Sequence, residues 1–360
     1  MNDHRYLILA EGSFGPETTK TANSAIRYLP DRVLAVVDSR HAGKTARDVL
    51  GFGGAIPVLA SLEEGLAMGP TAALVGIAPQ GGRLPDEWRP LLRRVIEAGL
   101  DVVSGLHFYL GLDPELSALA AERGVRIVDL RRPPADLPVS TGKARLVDAF
   151  TVLTVGTDCN IGKMTAALQL RDALAKRGTR VGFAATGQTG ILIEGWGTSV
   201  DAVVADFVGG AAEQLVLRAA EGNDVVLVEG QGSLVHPGYS GVTLGLLHGS
   251  MPDAMVLCHQ PSRRCPYNRY GVYEWMTLPS VPETIRICEG AIAPLKPSSR
   301  VVAICLNTWD LGEEEARAEV ERVQAETGLP TTDPVRFDPA PVVDAILAGA
   351  ERKRARAATA

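Results

Sequence analysis

Short apolar runs recur along the whole chain, each separated from the next by a spacer long enough for one helix. In the first third they are Tyr6 to Ala10, Val33 to Val37, Ala73 to Ile77, Val102 to Ser104 and Arg126 to Leu130, with helix-length segments such as Glu87 to Ala98 between them. The rhythm returns as Phe150 to Val155, Val181 to Ala185, Val225 to Val228, Ala254 to Cys258 and Val301 to Leu306. Runs without polar alternation read as strands buried on both faces, and the spacers read as crossover helices. The pattern therefore predicts an α/β chain of two doubly wound parallel sheets. Between them, Arg131-Arg132-Pro133-Pro134-Ala135-Asp136-Leu137-Pro138 interrupts both periods and reads as a linker. The expected division is a first domain over 1–133, a linker over 134–149, a second domain over 150–342, and a helix end with a basic tail over 343–360. The cluster Arg352 to Arg356 is expected to be solvated and frayed.

The sharpest chemistry lies in Gly156-Thr157-Asp158-Cys159-Asn160-Ile161-Gly162-Lys163-Met164-Thr165, which has GxxxxGK spacing. It follows a buried run and precedes a helical pattern from Thr165 to Lys176, with Ala167, Leu170 and Leu174 on one face and Gly178 as its stop. In such a loop the glycines let successive amides point inward, the helix N-terminus adds partial positive charge, and Lys163 adds a full one. Gly156, Thr157, Asp158, Cys159, Asn160, Gly162, Lys163 and Thr165 are thus the expected phosphate or nucleotide contacts. Met164 stands where a hydroxyl normally holds Mg²⁺, and a thioether is a poor ligand for that hard cation. No metal site is expected.

Composition narrows the partners. A net charge of −6 argues against nucleic acid and anionic membrane surfaces, and no apolar stretch is long enough to span a bilayer. Met1 to Arg5 lacks the layout of a signal peptide, so a cytoplasmic protein acting on a small molecule is expected, with a homo-oligomer as the assembly. Five cysteines, an odd number scattered over a long chain, fit reduced thiols better than a disulfide framework.

The remaining candidates sit at the ends of the other runs. In the first domain, Gly12 and Gly15 stand where a Rossmann loop has glycines, without making GxGxxG, and Asp38 closes the second run where a ribose-binding acid would sit. The reading is either a site for an adenine-containing cofactor or a sheet whose glycines serve tight turns. Ile77-Ala78-Pro79-Gln80-Gly81-Gly82 would be a third loop at the same edge. In the second domain, Glu229 ends a buried run inside VEGQGS, where a phosphate-loop enzyme keeps a metal ligand or base. His236 follows in a loop and is the second candidate base, with Tyr239 and Ser240 beside it. Arg263 and Arg264 are candidate forks for a substrate carboxylate, and Gln188 is a candidate substrate contact. Cys258, His259 and Cys265 match no standard zinc spacing. Asn307, in Asn307-Thr308-Trp309-Asp310, resembles the NxxD element that reads a purine, since a carboxamide offers both donor and acceptor.

GTDCNIGK, VEGQGS and an Asn-bearing last strand resemble dethiobiotin synthetase, over the C-terminal half only. The whole chain more closely resembles a two-domain bacterial family long catalogued as a domain of unknown function, with a Rossmann-like N-domain and a P-loop NTPase-like C-domain. The segments that carry this are GTDCNIGKMT, ATGQTGILIEG, VEGQGSLVHPGYSGVTLGLLHGS, IAPQGGRLP and GLDVVSGLH. Characterised members are D-glutamate N-acetyltransferases, so the resemblance implies acetyl transfer from acetyl-CoA to the amine of an acidic D-amino acid. Glu229 or His236 would be the general base, the glycine-loop amides would hold the oxyanion, and Cys159 is a lesser candidate as acyl acceptor. An ATP- and Mg-dependent amide ligase or kinase is the alternative, and a non-catalytic nucleotide-binding module the second. A dehydrogenase is the weakest reading.

Overall fold

The computed structural model describes residues 3–77, 84–267 and 273–359. The chain forms two compact units, Met1–Pro133 with Gly187–Ala202, and Pro134–Thr186 with Val203–Ala360.

The first unit is built on β1 (Tyr6–Leu9), β2 (Val33–Val37), β3 (Val58–Leu59), β4 (Ala72–Val75), β5 (Asp101–Ser104) and β6 (Ile127–Asp129). They form one parallel sheet in the order β3-β2-β1-β4-β5-β6. That is the Rossmann order, with the winding direction reversing between β1 and β4, where ligands enter at the carboxyl ends of the strands. Helices α1 (Lys20–Tyr28), α2 (Ala46–Leu50), α3 (Leu62–Leu66), α4 (Trp88–Glu97) and α5 (Pro114–Arg123) make the crossovers. Sequence fixes their ends locally. Asp113 caps α5 by accepting from Glu115 and Leu116 N–H, Pro114 opens it, and Gly124 closes it in the left-handed conformation at φ 66°. Leu7 and Leu9 from β1 join Trp88, Leu92, Val95 and Ile96 from α4 in one core. Each such side chain contributes roughly 1.5–3 kcal/mol by its burial.

The second unit carries β7 (Phe150–Gly156), β8 (Val181–Ala184), β9 (Val225–Val228), β10 (Ala254–His259), β11 (Arg300–Leu306) and β12 (Thr331–Thr332). Their order is β12-β11-β10-β7-β9-β8, again all parallel. Every residue of β7 is buried, and β7 lies between β9 and β10, where the chain changes direction across the sheet. The helices are α6 (Lys163–Lys176), α7 (Gln188–Glu194), α8 (Ala205–Ala220), α9 (Ser240–Ser250), α10 (Val281–Ile292), α11 (Glu313–Thr327) and α12 (Ala340–Thr359). Of these, α7 packs within the first unit. Helices α8 and α9 meet backbone to backbone: a Cβ on Gly249 would lie 2.1 Å from the Gly209 carbonyl oxygen, so only glycine fits.

Some expectations change. Strands β3 and β12 were not foreseen, and α6 begins at Lys163 rather than Thr165. Residues 134–149 pack in the second unit, where the buried Glu213 carboxylate receives the Thr141 and Lys143 N–H groups and the Ser140 and Thr141 hydroxyls. The basic tail is not frayed. It is the last part of α12, and Lys353 Nζ donates to the carbonyls of Val147 (2.8 Å) and Ala149 (2.9 Å) and to Asp253 (2.8 Å). Among the described residues no helix is long and apolar enough to cross a membrane, and all five cysteines are free.

Candidate functional site

The phosphate loop joins β7 to α6, and its backbone has the expected form. Asn160 at φ 55° and Gly162 at φ 98° take left-handed conformations that turn the loop back on itself ahead of Lys163. The loop is fixed from both sides. Thr157 N–H donates to the Cys258 carbonyl at 3.1 Å, the Thr157 hydroxyl lies 3.0 Å from His259 Nδ1, and the Ser233 hydroxyl donates to the Gly156 carbonyl at 2.8 Å. Burial depresses His259 to about 4, so the ring is neutral near neutral pH.

Lys163 is the exception to this satisfaction. It is only 6% exposed, and among the described residues its ammonium makes one hydrogen bond, to the Asp158 carbonyl at 2.7 Å. An ammonium has three donors, so two are unmet. Burial lowers its pKa, with nearby Cys258, Cys159 and Asp158 opposing the shift. A buried cation with open donors favours an anion as ligand. Met164 and Thr165 follow in the first turn of α6, both half-buried.

Glu229 ends β9, the neighbour of β7, so the sheet brings it beside the loop's strand. It is 4% exposed, and its Oε2 accepts from Thr186 N–H at 2.9 Å, while the Thr186 hydroxyl donates to the Glu229 carbonyl at 2.8 Å. Gln231 Nε2 also donates to the Thr186 carbonyl. Gly230 N–H donates to the Thr154 hydroxyl at 2.9 Å, and a Cβ there would lie 1.6 Å from the Thr154 carbonyl oxygen. The glycines of VEGQGS thus let β9 and β7 approach closely enough to place the carboxylate.

His236 is fully enclosed and both its nitrogens are engaged. Gly238 N–H donates to Nδ1 at 3.0 Å, which leaves the proton on Nε2 to be given to the Tyr267 carbonyl at 3.2 Å. The ring stacks on Tyr239 with centroids 4.6 Å apart and meets Tyr273 edge-on at 5.1 Å. This is a loop anchor. It has no open lone pair for a proton, contrary to the expectation of a base.

Asp158, Cys159 and His236 are all buried and bring one possible metal-ligand atom each within 4.8 Å of the others. The hydrogen bonds within the protein already use the His236 nitrogens, Nδ1 accepting from Gly238 N–H and Nε2 donating to the Tyr267 carbonyl. Both Asp158 oxygens are occupied, Oδ1 by Cys159 N–H at 2.7 Å and Oδ2 by Tyr267 N–H at 2.6 Å and Arg263 at 3.2 Å. Burial raises the Asp158 pKa against those three donors.

The arginines divide. The Arg263 fork is already held by Asp158 and by Gln260 Oε1 at 2.9 Å, over the Tyr267 ring, so it braces the loop instead of presenting itself to substrate. Arg264 is exposed. Tyr239 is 51% exposed and Ser240 opens α9. Asn307 lies against the phosphate loop, its side chain 3.7 Å from where a Cβ on Gly162 would be. The acid of its NxxD element is engaged through one oxygen, Asp310 Oδ2 accepting from Gln260 and Ser262, on an exposed residue. Burial pushes the Cys258 thiol up to about 12, which removes it as a nucleophile.

Gln188 is placed in the first unit, at the start of α7, where its Cγ lies 2.9 Å from the position of a Cβ on Gly105. Gly12 is left-handed at φ 68° and its N–H donates to Asp38 Oδ1 at 2.7 Å. Gly15 N–H donates to the Thr19 hydroxyl at 3.2 Å. Asp38 is 0% exposed and its other oxygen is held by His41, so it cannot reach a ribose. The loop residues 78–83, including Gln80, lie outside the described residues.

Two family models match the chain, a Rossmann-like domain of unknown function (DUF1611_N) over residues 39–133 and a P-loop domain of unknown function (DUF1611_C) over residues 138–343. Two proteins named D-glutamate N-acetyltransferase are similar to it. The one from Tritonibacter scottomollicae is 40% identical over 288 residues, 80% of this chain and 84% of that protein. The one from a Pseudoalteromonas species is 40% identical over 276 residues, 77% of this chain and 81% of that protein. The crystal structure of a DUF1611 family protein from Anabaena variabilis ATCC 29413 superposes with a TM-score of 0.90 at 39% identity, over 96% of this chain and 99% of that one. With both halves matched in order and the relatives spanning most of its length, the chain belongs to the DUF1611 family.

Proposed function

We propose that this protein is a D-glutamate N-acetyltransferase that uses acetyl-CoA as its donor. N-acyl transfer is the activity for which its 40% identical relatives are named, and the acceptor is theirs by name. The single observation that supports a phosphate-bearing donor is Lys163, a nearly enclosed ammonium with two unmet donors at the start of α6. Met164 beside it, in place of a metal-holding hydroxyl, favours binding of phosphates over phosphoryl transfer. In the reaction the amine nitrogen bonds to the thioester carbonyl carbon, the C–S bond breaks, and coenzyme A leaves as thiolate and takes up a proton. The amine must give up its proton, and Glu229 is the carboxylate of this unit set to receive it. Arg264, whose fork is exposed where that of Arg263 is engaged, is the candidate partner for a substrate carboxylate.

The test is product analysis by mass spectrometry with purified protein, D-glutamate and either acetyl-CoA or Mg·ATP. N-acetyl-D-glutamate should form from acetyl-CoA without ATP, and its formation should survive excess EDTA. Product that requires Mg·ATP and stops with EDTA would overturn the acetyl-CoA reading in favour of a ligase.

A further inference from the structure

The carboxyl edge of the first sheet carries a side-chain arrangement to which the phosphate loop contributes nothing. Asp38, at the end of β2, is wholly buried and both its oxygens are committed: Oδ1 to Gly12 N–H at 2.7 Å, Oδ2 to His41 Nδ1 at 2.6 Å. A carboxylate oxygen accepts, so Nδ1 carries the hydrogen of this bond, and in that tautomer the ring's lone pair is on Nε2. Among the described residues Nε2 has no hydrogen-bond partner, and the His41 side chain is 30% exposed. The ring is held as well as aimed. Phe14, buried at 3%, meets it edge-on with centroids 6.5 Å apart, and the loops after β1 and β2 are tied together by Ser39 N–H donating to Glu11 at 3.0 Å. A turn that only needed a cap would be served by Asp38 and Gly12. The oriented imidazole with an outward lone pair is an addition to it.

We propose that this edge is a second amino-acid site, separate from the one at which Glu229 acts, that binds the ammonium group of an amino acid, with His41 Nε2 as the acceptor of its N–H and Asp38 as the positioning residue behind it. The charged groups around the ring suit an acidic amino acid. Glu11, from the loop after β1, is occupied by Ser39, while Arg40 and Lys44 on the ring's own segment are exposed cations that can meet carboxylates. On its other side β3 brings only Val58 and Leu59.

The choice of D-glutamate as probe rests on the functional reading above, and the experiment separates the two. The full chain labelled with ¹⁵N-histidine has six imidazoles, and His41→Gln identifies the signal of interest. Wild type should show His41 as the Nδ1–H tautomer, and D-glutamate should shift its Nε2 resonance. His41→Gln, on a half-exposed turn, should weaken D-glutamate at least ~10-fold by calorimetry while coenzyme A affinity stays unchanged. Asp38→Asn should release the tautomer and lose part of that affinity. If D-glutamate leaves the His41 signals unmoved, or His41→Gln binds it as wild type does, the site is not an ammonium site even where acetylation is found. If wild type acetylates nothing yet D-glutamate moves His41, the site stands and the acetyltransferase reading falls.

Discussion

The two sheets end in opposite ways at their carboxyl edges. In the second unit His236 is engaged through both nitrogens and His259 through Nδ1 to Thr157, and among the described residues at this edge the cation Lys163 is left with open donors. In the first unit the acids are saturated, Asp38 by Gly12 and His41 and Glu11 by Ser39, and the group left open is a lone pair on His41. Buried polar groups are almost always paired, so the unmet donors of the buried Lys163 mark what its edge is built to take, while Nε2 of the half-exposed His41 is open to a ligand from solvent. One edge waits for an anion and the other for a donor. Both follow from the same winding of a parallel sheet, and only the loop residues differ.

The largest effect expected concerns chemistry at the second edge. Glu229→Gln keeps the shape and the bond to Thr186 N–H but removes basicity, and should lower kcat about 10²- to 10⁴-fold with little change in binding. Steady-state and single-turnover kinetics on D-glutamate check it. Near-normal turnover would strip the second edge of its catalytic role and leave it a donor-binding edge only.

Next comes the anion side. Lys163→Ala should weaken coenzyme A by roughly 2–4 kcal/mol in calorimetric titration, the cost of deleting a charge-assisted contact in a desolvated site. The same change removes a buried ammonium with unmet donors, so the melting temperature of the ligand-free protein should not fall. Unchanged affinity for both coenzyme A and ATP would end the claim that this edge waits for an anion.

The sequence made the second edge far more legible than the first. A phosphate loop is local: strand, glycines, lysine and helix lie in one stretch, and each constrains the next. Both winding patterns were readable too, because central strands are unbroken apolar runs, whereas β3 and β12, at two residues each, are too short to show a period. The pairing of Asp158 with Arg263 spans 105 positions and leaves no local trace, so Arg263 reads as a free fork. Gln188 follows the second unit's β8, and only packing against Gly105 assigns it to the first unit. Asp38 and His41 were close enough to be seen together at i, i+3. A carboxylate at the end of the second strand of a Rossmann sheet matches a ribose-binding acid by position alone, and only the fold shows it turned onto Gly12 and His41 instead.

A smaller effect tests whether the second edge's histidines are there to be neutral. His259 is depressed from 6.5 to about 4 by burial, so between those values the unfolded chain binds the proton that the folded one refuses. Its contribution to stability is complete above about pH 6.5 and is lost as pH falls through about 4, at most about 3 kcal/mol in all. Chemical denaturation of wild type and His259→Asn across that range should show the wild-type advantage shrinking toward acid. A constant difference would mean that the ring is not held neutral and that Thr157 is fixed in some other way.

The smallest effect separates the two rings most directly. His236 touches Tyr239 and Tyr273 and bridges Gly238 to Tyr267, so His236→Gln should cost roughly 1–2 kcal/mol of stability through lost ring contacts and one hydrogen bond. Its kcat should fall less than about 10-fold, and the pH profile of kcat/KM should keep its shape, because a ring with both nitrogens engaged takes no proton in the reaction. A fall as deep as that of Glu229→Gln, with the acidic limb of the profile gone, would show that Nε2 leaves the Tyr267 carbonyl when substrate binds. The second edge would then hold an open imidazole as well as an open ammonium, and the contrast with His41 would fail.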